Sequence, residues 1–124
     1  MGTWRILFVC TANLNRSVTA EGLFKNWAGV ETKSAGTTEW AANPLTQEVC
    51  AWADQIFVMQ EYHRKQVLGR CGGAAEIACK IVLLGIEDVY FFNDPELVRL
   101  LLKLVPPYMP PDILLQNKEK NTCE

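Results

Sequence analysis

The sequence predicts an α/β protein built on a four-stranded parallel sheet with helices on both faces. Short runs of apolar, branched and aromatic residues, typical of buried strands, alternate along the chain with segments whose apolar residues recur at helical spacing. Such alternation favours parallel strands joined by helical crossovers. The chain has 124 residues, 49% of them hydrophobic and 21% charged, which is the size and composition of one globular domain.

The first half of the chain is predicted to supply two strands and two helices. The apolar run 6–9 indicates a buried strand, and segment 17–27 has the apolar spacing of an amphipathic helix. Residues 30–34 alternate weakly and lead into Ala35-Gly36, which indicates a short second strand. At Asn43-Pro44 a capping residue precedes a proline, so a second helix is predicted to begin there and to end near residue 53.

The second half repeats the alternation. Residues 55–59 predict a third strand, buried on both faces, and residues 80–84 a fourth. Helices are predicted at 61–68 and 95–105. From about residue 106 two proline pairs and a charged end predict an irregular tail, so that residues 1–124 form one domain.

Composition excludes several classes of function. The net charge is −2 and no basic cluster exceeds Arg64-Lys65, which argues against a general nucleic-acid surface. No apolar run approaches the roughly 20 residues that span a bilayer. Five scattered cysteines and a single histidine make a metal site improbable, and we expect free thiols in a cytoplasmic protein. That histidine, His63, has charged neighbours and is expected on the surface.

The loop between the first strand and the first helix carries a nucleophile and a phosphate ligand. It reads Cys10-Thr11-Ala12-Asn13-Leu14-Asn15-Arg16. Loop amides and the helix N-terminus would converge on one anion, and the Arg16 guanidinium can bind two phosphate oxygens. The same positive field favours the reactive thiolate of Cys10. A buried cysteine ending a core strand, with an arginine serving solubility, is the plainer alternative, but the position between strand and helix favours the anion site.

A second loop, after the fourth strand, can supply an acid. Attack of a thiolate on phosphorus requires a proton for the leaving oxygen, and this loop carries Glu87, Asp88 and Asp94. Loops at the carboxyl ends of parallel strands converge. Asp94 precedes Pro95 and suits a helix N-cap, whereas Glu87 and Asp88 are either solvated acids or catalytic ones.

These segments resemble the low-molecular-weight protein tyrosine phosphatases, and in particular a short bacterial branch of them. The resemblance rests on residues 8–24, with further matches at 34–37, 56–59 and 86–90. It implies a flavodoxin-like arrangement of the sheet and a phosphomonoesterase that needs no metal or other cofactor. The implied substrate is a phosphotyrosine protein or a small aryl phosphate.

The resemblance also implies individual roles. Three residues match catalytic groups of the family by position: Cys10 as nucleophile, Arg16 as phosphate clamp and Asp88 as general acid. The expected phosphate-binding and substrate-binding residues are Thr11, Ala12, Asn13, Leu14, Asn15, Ser17, Trp40 and Tyr90. Among them Asn13 would hold the loop, Ser17 would hydrogen-bond the thiolate, and the two aromatic residues would form the walls of the cleft.

The chain departs from the family pattern at three points. Asn15 stands where many members have a second loop cysteine, and Val18 and Val89 stand where prolines are common.

The same residues leave two other functions open. A thiol-dependent arsenate reductase of the same fold would need a cysteine relay, for which Cys71 and Cys79 are the candidates, and a non-catalytic module would only bind phosphorylated partners. The oligomeric state is not predicted.

Overall fold

The computed structural model describes residues 3–71 and 75–120, and it has one sheet of four parallel strands. The strands are β1 (Trp4–Cys10), β2 (Val30–Gly36), β3 (Gln55–Val58) and β4 (Ile81–Leu83). The helices are α1 (Arg16–Phe24), α2 (Gln47–Trp52), α3 (Glu61–Arg70), α4 (Ala75–Ala78), α5 (Pro95–Leu104) and α6 (Pro111–Gln116), with a 3-10 turn at Pro106–Tyr108. The strand order is β2-β1-β3-β4. The predicted fold class is confirmed.

β1 lies inside the sheet and supplies side chains to both of its faces. Ile6 and Phe8 belong to a core with α1 and α5, whereas Leu7 and Val9 belong to a second core with α2 and α3. All four side chains are fully buried, which is why this strand has a continuous apolar run and not an alternating one. β1 pairs with β2 on one side and with β3 on the other, so the strand order reverses beside it. Ligands of such sheets bind outside this switch point.

The prediction for the start of α2 was wrong. The helix begins at Gln47, and Thr46 is its N-cap, with its side-chain oxygen accepting a hydrogen bond from the Val49 amide. Asn43-Pro44 instead continues the pairing of β2, because the Gly36 amide donates to the carbonyl of Asn43 and the Leu45 amide donates to Gly36. Asn-Pro and Thr-Gln are both acceptable helix starts, and the backbone pairing decides between them.

The segment after residue 106 is not irregular, contrary to prediction. It forms the 3-10 turn and α6, and it buries Met109, Ile113 and Asn117 at a spacing of four residues. The Asn117 side chain accepts from the Ala28 amide (2.7 Å) and donates to the Ala28 carbonyl (3.0 Å). This pair of bonds attaches the segment to the turn before β2.

The expectation of free thiols was also wrong in part. Cys50 of α2 and Cys71, which follows α3, are joined by a disulfide, whereas Cys10 and Cys79 are free. Cys123 lies outside the described residues. No helix in the described ranges is long and apolar enough to cross a membrane.

Candidate active site

The loop after β1 holds its carbonyl groups away from the candidate site. The carbonyl oxygens of Cys10, Thr11 and Ala12 accept hydrogen bonds of 3.0, 3.2 and 3.3 Å from amides between residues 37 and 42. The N–H groups of residues 12–15 have no hydrogen-bond acceptor in the described part of the chain. The loop ends at the N-terminus of α1, whose first amides lack intrahelical partners. Together these donors make an anion-binding concavity.

The close approach of β2 to this loop requires a glycine at position 36. A Cβ atom there would lie 2.7 Å from the Thr11 carbonyl oxygen and 3.0 Å from the Asn13 nitrogen. Asn13 itself has a φ of 58°, a left-handed conformation that asparagine adopts more readily than most residues. The end of β2 therefore packs directly against the backbone of the loop and restricts its conformation.

Cys10 faces a hydroxyl group that can stabilise a thiolate. The distance from Cys10 Sγ to Ser17 Oγ is 3.0 Å, and both side chains are buried. Asn13 Nδ2 donates to the same hydroxyl oxygen at 2.8 Å. Because this donor occupies a lone pair of Ser17 Oγ, the hydroxyl hydrogen is free to point at the sulfur. Ser17 Oγ thus connects the Cys10 sulfur with the Asn13 side chain.

Arg16 is only 2% exposed, although its guanidinium group is one of the groups that line the cavity. Its Nη1 donates to Gln60 Oε1 (2.7 Å) and to the Ile86 carbonyl (2.8 Å). Nη2 lies 3.5 Å from Thr11 Oγ1, and Nε lies 3.8 Å from a carboxylate oxygen of Asp88. The guanidinium is thus oriented by the loops after β3 and β4 and is not a solubilising surface group, which excludes the plainer alternative.

The cavity brings together the candidate nucleophile, the candidate phosphate clamp and one carboxylate. It has a volume of about 230 Å³ and is lined by Cys10, Thr11, Ala12, Leu14, Asn15, Arg16 and Asp88. The loop that carries Asp88 is attached at both ends: the Ile86 amide donates to the Met59 carbonyl (2.8 Å), and the Asn93 amide donates to Thr19 Oγ1 (2.9 Å).

The other acid considered from the sequence has a structural role. Asp94 caps α5 and accepts a hydrogen bond from the Glu96 amide at 3.0 Å. Glu87 is exposed and does not line the cavity. Asp88 is therefore the carboxylate of this loop that lies at the candidate site.

The two predicted aromatic walls have different surroundings. Trp40 is 80% exposed, on the turn that follows β2, near the amides that hold the loop carbonyls. Tyr90 is partly buried and packs against the core on the α1 and α5 side of the sheet. Its neighbours Val89 and Phe91 are exposed. Neither Trp40 nor Tyr90 lines the small cavity itself.

His63 was predicted to be exposed, and this prediction was wrong. Its side chain is fully buried, with Nδ1 accepting from the Gln60 amide (3.0 Å) and Nε2 lying 2.9 Å from Thr11 Oγ1. Burial first, and the Arg16 guanidinium second, lower the pKa of His63 to about 4, against an opposite effect of Asp88. The spacing of His63 and Val67, both buried on one face of α3, was the available sequence signal.

Two further features bear on the alternatives. Cys71 is bonded to Cys50 and not to Cys79, and none of these three residues lines the cavity. Among the described residues, no group of three or more His, Cys, Asp or Glu side chains could hold a metal ion. A larger depression of about 420 Å³ lies beside Ala28 and residues 115–120, but it contains no cysteine, histidine or arginine.

The sequence and the fold are both similar to known phosphatases. Residues 5–55 match the family described as low molecular weight phosphotyrosine protein phosphatase. The YwlE arginine phosphatase is 26% identical, with a TM-score of 0.59 over 78% of this chain and 90% of that one. A YwlE mutant from Bacillus subtilis is 23% identical, with a TM-score of 0.60 over 95% of this chain and 98% of that one. Among curated proteins, none matches the sequence.

Two tyrosine phosphatases share the fold at lower identity. The low molecular weight protein tyrosine phosphatase of Streptococcus pyogenes is 18% identical, with a TM-score of 0.71 over 91% of this chain and 98% of that one. Wzb of Escherichia coli K30, in complex with phosphate, is 24% identical, with a TM-score of 0.62 over 78% and 89%. The matched segment carries the loop from Cys10 to Ser17, and this segment and the overall fold are both similar to those of the low molecular weight phosphotyrosine protein phosphatases.

Proposed function

We propose that the protein is a phosphomonoesterase that acts on phosphotyrosine proteins or small aryl phosphates through a cysteinyl-phosphate intermediate. The observation that carries this proposal is the meeting of Cys10, Arg16 and Asp88 at one small cavity. A module that only binds phosphate has no use for a hydroxyl group 3.0 Å from a buried cysteine sulfur. The disulfide between Cys71 and Cys50, and the absence of Cys71 and Cys79 from the lining of the cavity, likewise disfavour a cysteine relay for arsenate.

In the first step the Cys10 thiolate attacks phosphorus in line with the aryl oxygen. The S–P bond forms while the P–O bond to the aryl group breaks, and the Asp88 carboxyl group gives its proton to the leaving oxygen. The guanidinium of Arg16 and the loop amides hold the three equatorial oxygens, whose charge they stabilise. The Ser17 hydroxyl stabilises the sulfur as a leaving group for the second step.

In the second step water attacks the cysteinyl phosphate. The Asp88 carboxylate accepts a proton from that water, the S–P bond breaks, and inorganic phosphate and the Cys10 thiolate are released. The enzyme returns to its initial protonation state, with Asp88 again carrying a proton. No metal ion or redox partner enters this balance.

The surroundings of the cavity support an aryl substrate. Its volume of about 230 Å³ is below the roughly 300–1,000 Å³ of a pocket for a drug-sized ligand, so it suits a phosphate group and little more. Leu14, which lines the cavity, is 62% exposed, and Val89, which follows Asp88 in the chain, is 68% exposed. Such groups can pack against a phenyl ring that extends out of the cavity.

The test is hydrolysis of p-nitrophenyl phosphate and of a phosphotyrosine peptide between about pH 5 and 7, where a thiolate and a carboxylic acid coexist. We expect Cys10→Ser to lower kcat by at least about 1,000-fold. Cys79→Ser, which removes the exposed free thiol, is the matched control and should retain activity. A wild-type protein without activity on either substrate would exclude the proposal.

A phosphoarginine peptide belongs in the same assay because YwlE is described as an arginine phosphatase. We expect kcat/KM to be higher for phosphotyrosine, since the exposed side chains of Leu14, which lines the cavity, and of Val89, which follows Asp88, are apolar and can pack against a phenyl ring. A preference for phosphoarginine would retain the cysteine chemistry and change the substrate. Reduction of arsenate in the presence of thioredoxin, lost in Cys71→Ser, would instead support the arsenate alternative.

A further inference from the structure

The side chain of His63 completes a ring of hydrogen bonds around the phosphate clamp. Arg16 donates to the Gln60 side chain, the Gln60 amide donates to His63 Nδ1, and His63 contacts Thr11. Thr11 Oγ1 in turn lies 3.5 Å from Arg16 Nη2, which closes the ring. The first turn of α3 is thereby connected to both the start and the end of the phosphate loop.

The direction of each bond in this ring follows from the donors available. Because Nδ1 of His63 accepts a backbone N–H, the proton of the neutral imidazole must be on Nε2, which donates to Thr11 Oγ1. With a second donor from Arg16, both lone pairs of Thr11 Oγ1 are occupied. Its own hydrogen is then directed to the Tyr62 hydroxyl oxygen, 2.5 Å away. The Thr11 hydroxyl is fully bonded and has one orientation.

We propose that His63 is a positioning residue for phosphate binding: through Thr11 it fixes the first residue of the loop and the orientation of the Arg16 guanidinium. This proposal rests on the proposed function for its kinetic readout but not for its binding readout. His63 does not line the cavity, so its effect must pass through Thr11. The titratable and charged groups that face it are Arg16, Asp88 and Tyr62.

Two substitutions at position 63 separate the two bonds of the imidazole. In His63→Gln the amide nitrogen can reach the position of Nε2 and donate to Thr11. In His63→Asn the shorter side chain can still accept from the Gln60 amide but cannot reach Thr11. We expect the asparagine variant to weaken binding of inorganic phosphate about 10-fold and to lower kcat by a similar factor, and the glutamine variant to recover most of both. Glu61→Gln, on the same turn of α3 with an exposed side chain, is the matched control.

Thr11→Val and Thr11→Ser provide a second route if the histidine variants fold poorly. Valine keeps the shape and removes the hydroxyl, and should reproduce the defect of His63→Asn; serine keeps the hydroxyl and should restore binding. In the double variant Thr11→Val/His63→Asn the two losses in phosphate affinity should not add, because each substitution removes the same hydrogen bond between His63 and Thr11. Calorimetry with inorganic phosphate measures binding whether or not the protein is an enzyme.

Three results would overturn the proposal. They are equal phosphate affinity in the His63→Asn and His63→Gln variants, additive losses in the double variant, or a fall in melting temperature with unchanged phosphate affinity. The last would assign His63 a purely structural role. Absence of hydrolysis with an intact affinity difference would overturn the proposed function alone.

Discussion

Asp88 and Asp94 lie on one loop, and their hydrogen bonds separate their roles. Asp94 uses its carboxylate to cap α5, whereas Asp88 reaches the cavity and lies 3.8 Å from Arg16 Nε. Asp88 is 62% exposed while its arginine partner is buried. A carboxylate with this exposure can leave the arginine when a phosphate arrives and turn to the leaving oxygen.

We expect Asp88→Asn to lower kcat on a phosphotyrosine peptide by about 100-fold or more, with little change in KM. The loss should be smaller on p-nitrophenyl phosphate, whose leaving group needs less protonation. Asp94→Asn is the matched control, because asparagine is also a good N-cap. Steady-state kinetics on both substrates provide the measurement. A larger loss in Asp94→Asn than in Asp88→Asn would transfer the acid role to Asp94.

At the scale of the elements, the site depends on how closely β2 approaches the loop after β1. The end of β2 lies so near the loop that a side chain at position 36 would meet the backbone of Thr11 and Asn13. The candidate site is formed by the loops after β1, β3 and β4, and the proposed nucleophile comes from the loop after β1. β2 restricts the conformation of the loop after β1, but none of its residues lines the cavity.

The substitution Gly36→Ala tests this dependence. We expect it to weaken binding of inorganic phosphate and to destabilise the protein by about 1–3 kcal/mol, the usual cost of overpacking. Gly22→Ala, in the exposed part of α1 with no atom near the added methyl group, should be stabilising by about 0.5–1 kcal/mol. Urea unfolding and phosphate calorimetry measure both effects. Unchanged phosphate affinity in Gly36→Ala would show that the loop can move away from β2.

For the whole molecule, the buried histidine makes stability depend on pH in a defined window. The folded protein holds the pKa of His63 near 4, whereas an unfolded chain has the ordinary value near 6.5. Between these values the unfolded state binds more protons, so the free energy of unfolding falls as the pH decreases from about 6.5 to 4. The difference in pKa corresponds to about 3 kcal/mol.

Unfolding by urea at several pH values measures this dependence. His63 is the single histidine of the chain. The contribution of His63 is therefore the slope of unfolding free energy against pH in the wild-type protein minus the same slope in His63→Gln. We expect the variant to lose most of the slope between pH 6.5 and 4. Parallel curves for the two proteins in that window would mean that His63 has the same pKa in the folded and the unfolded protein.

The sequence predicted the sheet and the anion-binding shape of the loop after β1 because their signals are local. The apolar run of β1, the strand–loop–helix position of Cys10 and Arg16, and the cap at Asp94 are all contained in a few neighbouring residues. Burial of His63 depends on a contact with Thr11, 52 positions away, and charged neighbours concealed it. The start of α2 and the formation of α6 also depend on residues far away in the sequence, namely Gly36 for α2 and Ala28 for α6.

The central place of β1 has a consequence for how activity is lost when the protein is weakened. Residues 6–9 have a hydrogen-bonded strand on each side and no exposed surface, so their amides exchange with solvent only when the whole domain opens. Cys10, the proposed nucleophile, is the last residue of this strand. In a destabilised variant fewer molecules are folded, but each folded molecule has a complete loop. The loss of activity should therefore equal the unfolded fraction, and the folded molecules should keep an unchanged kcat.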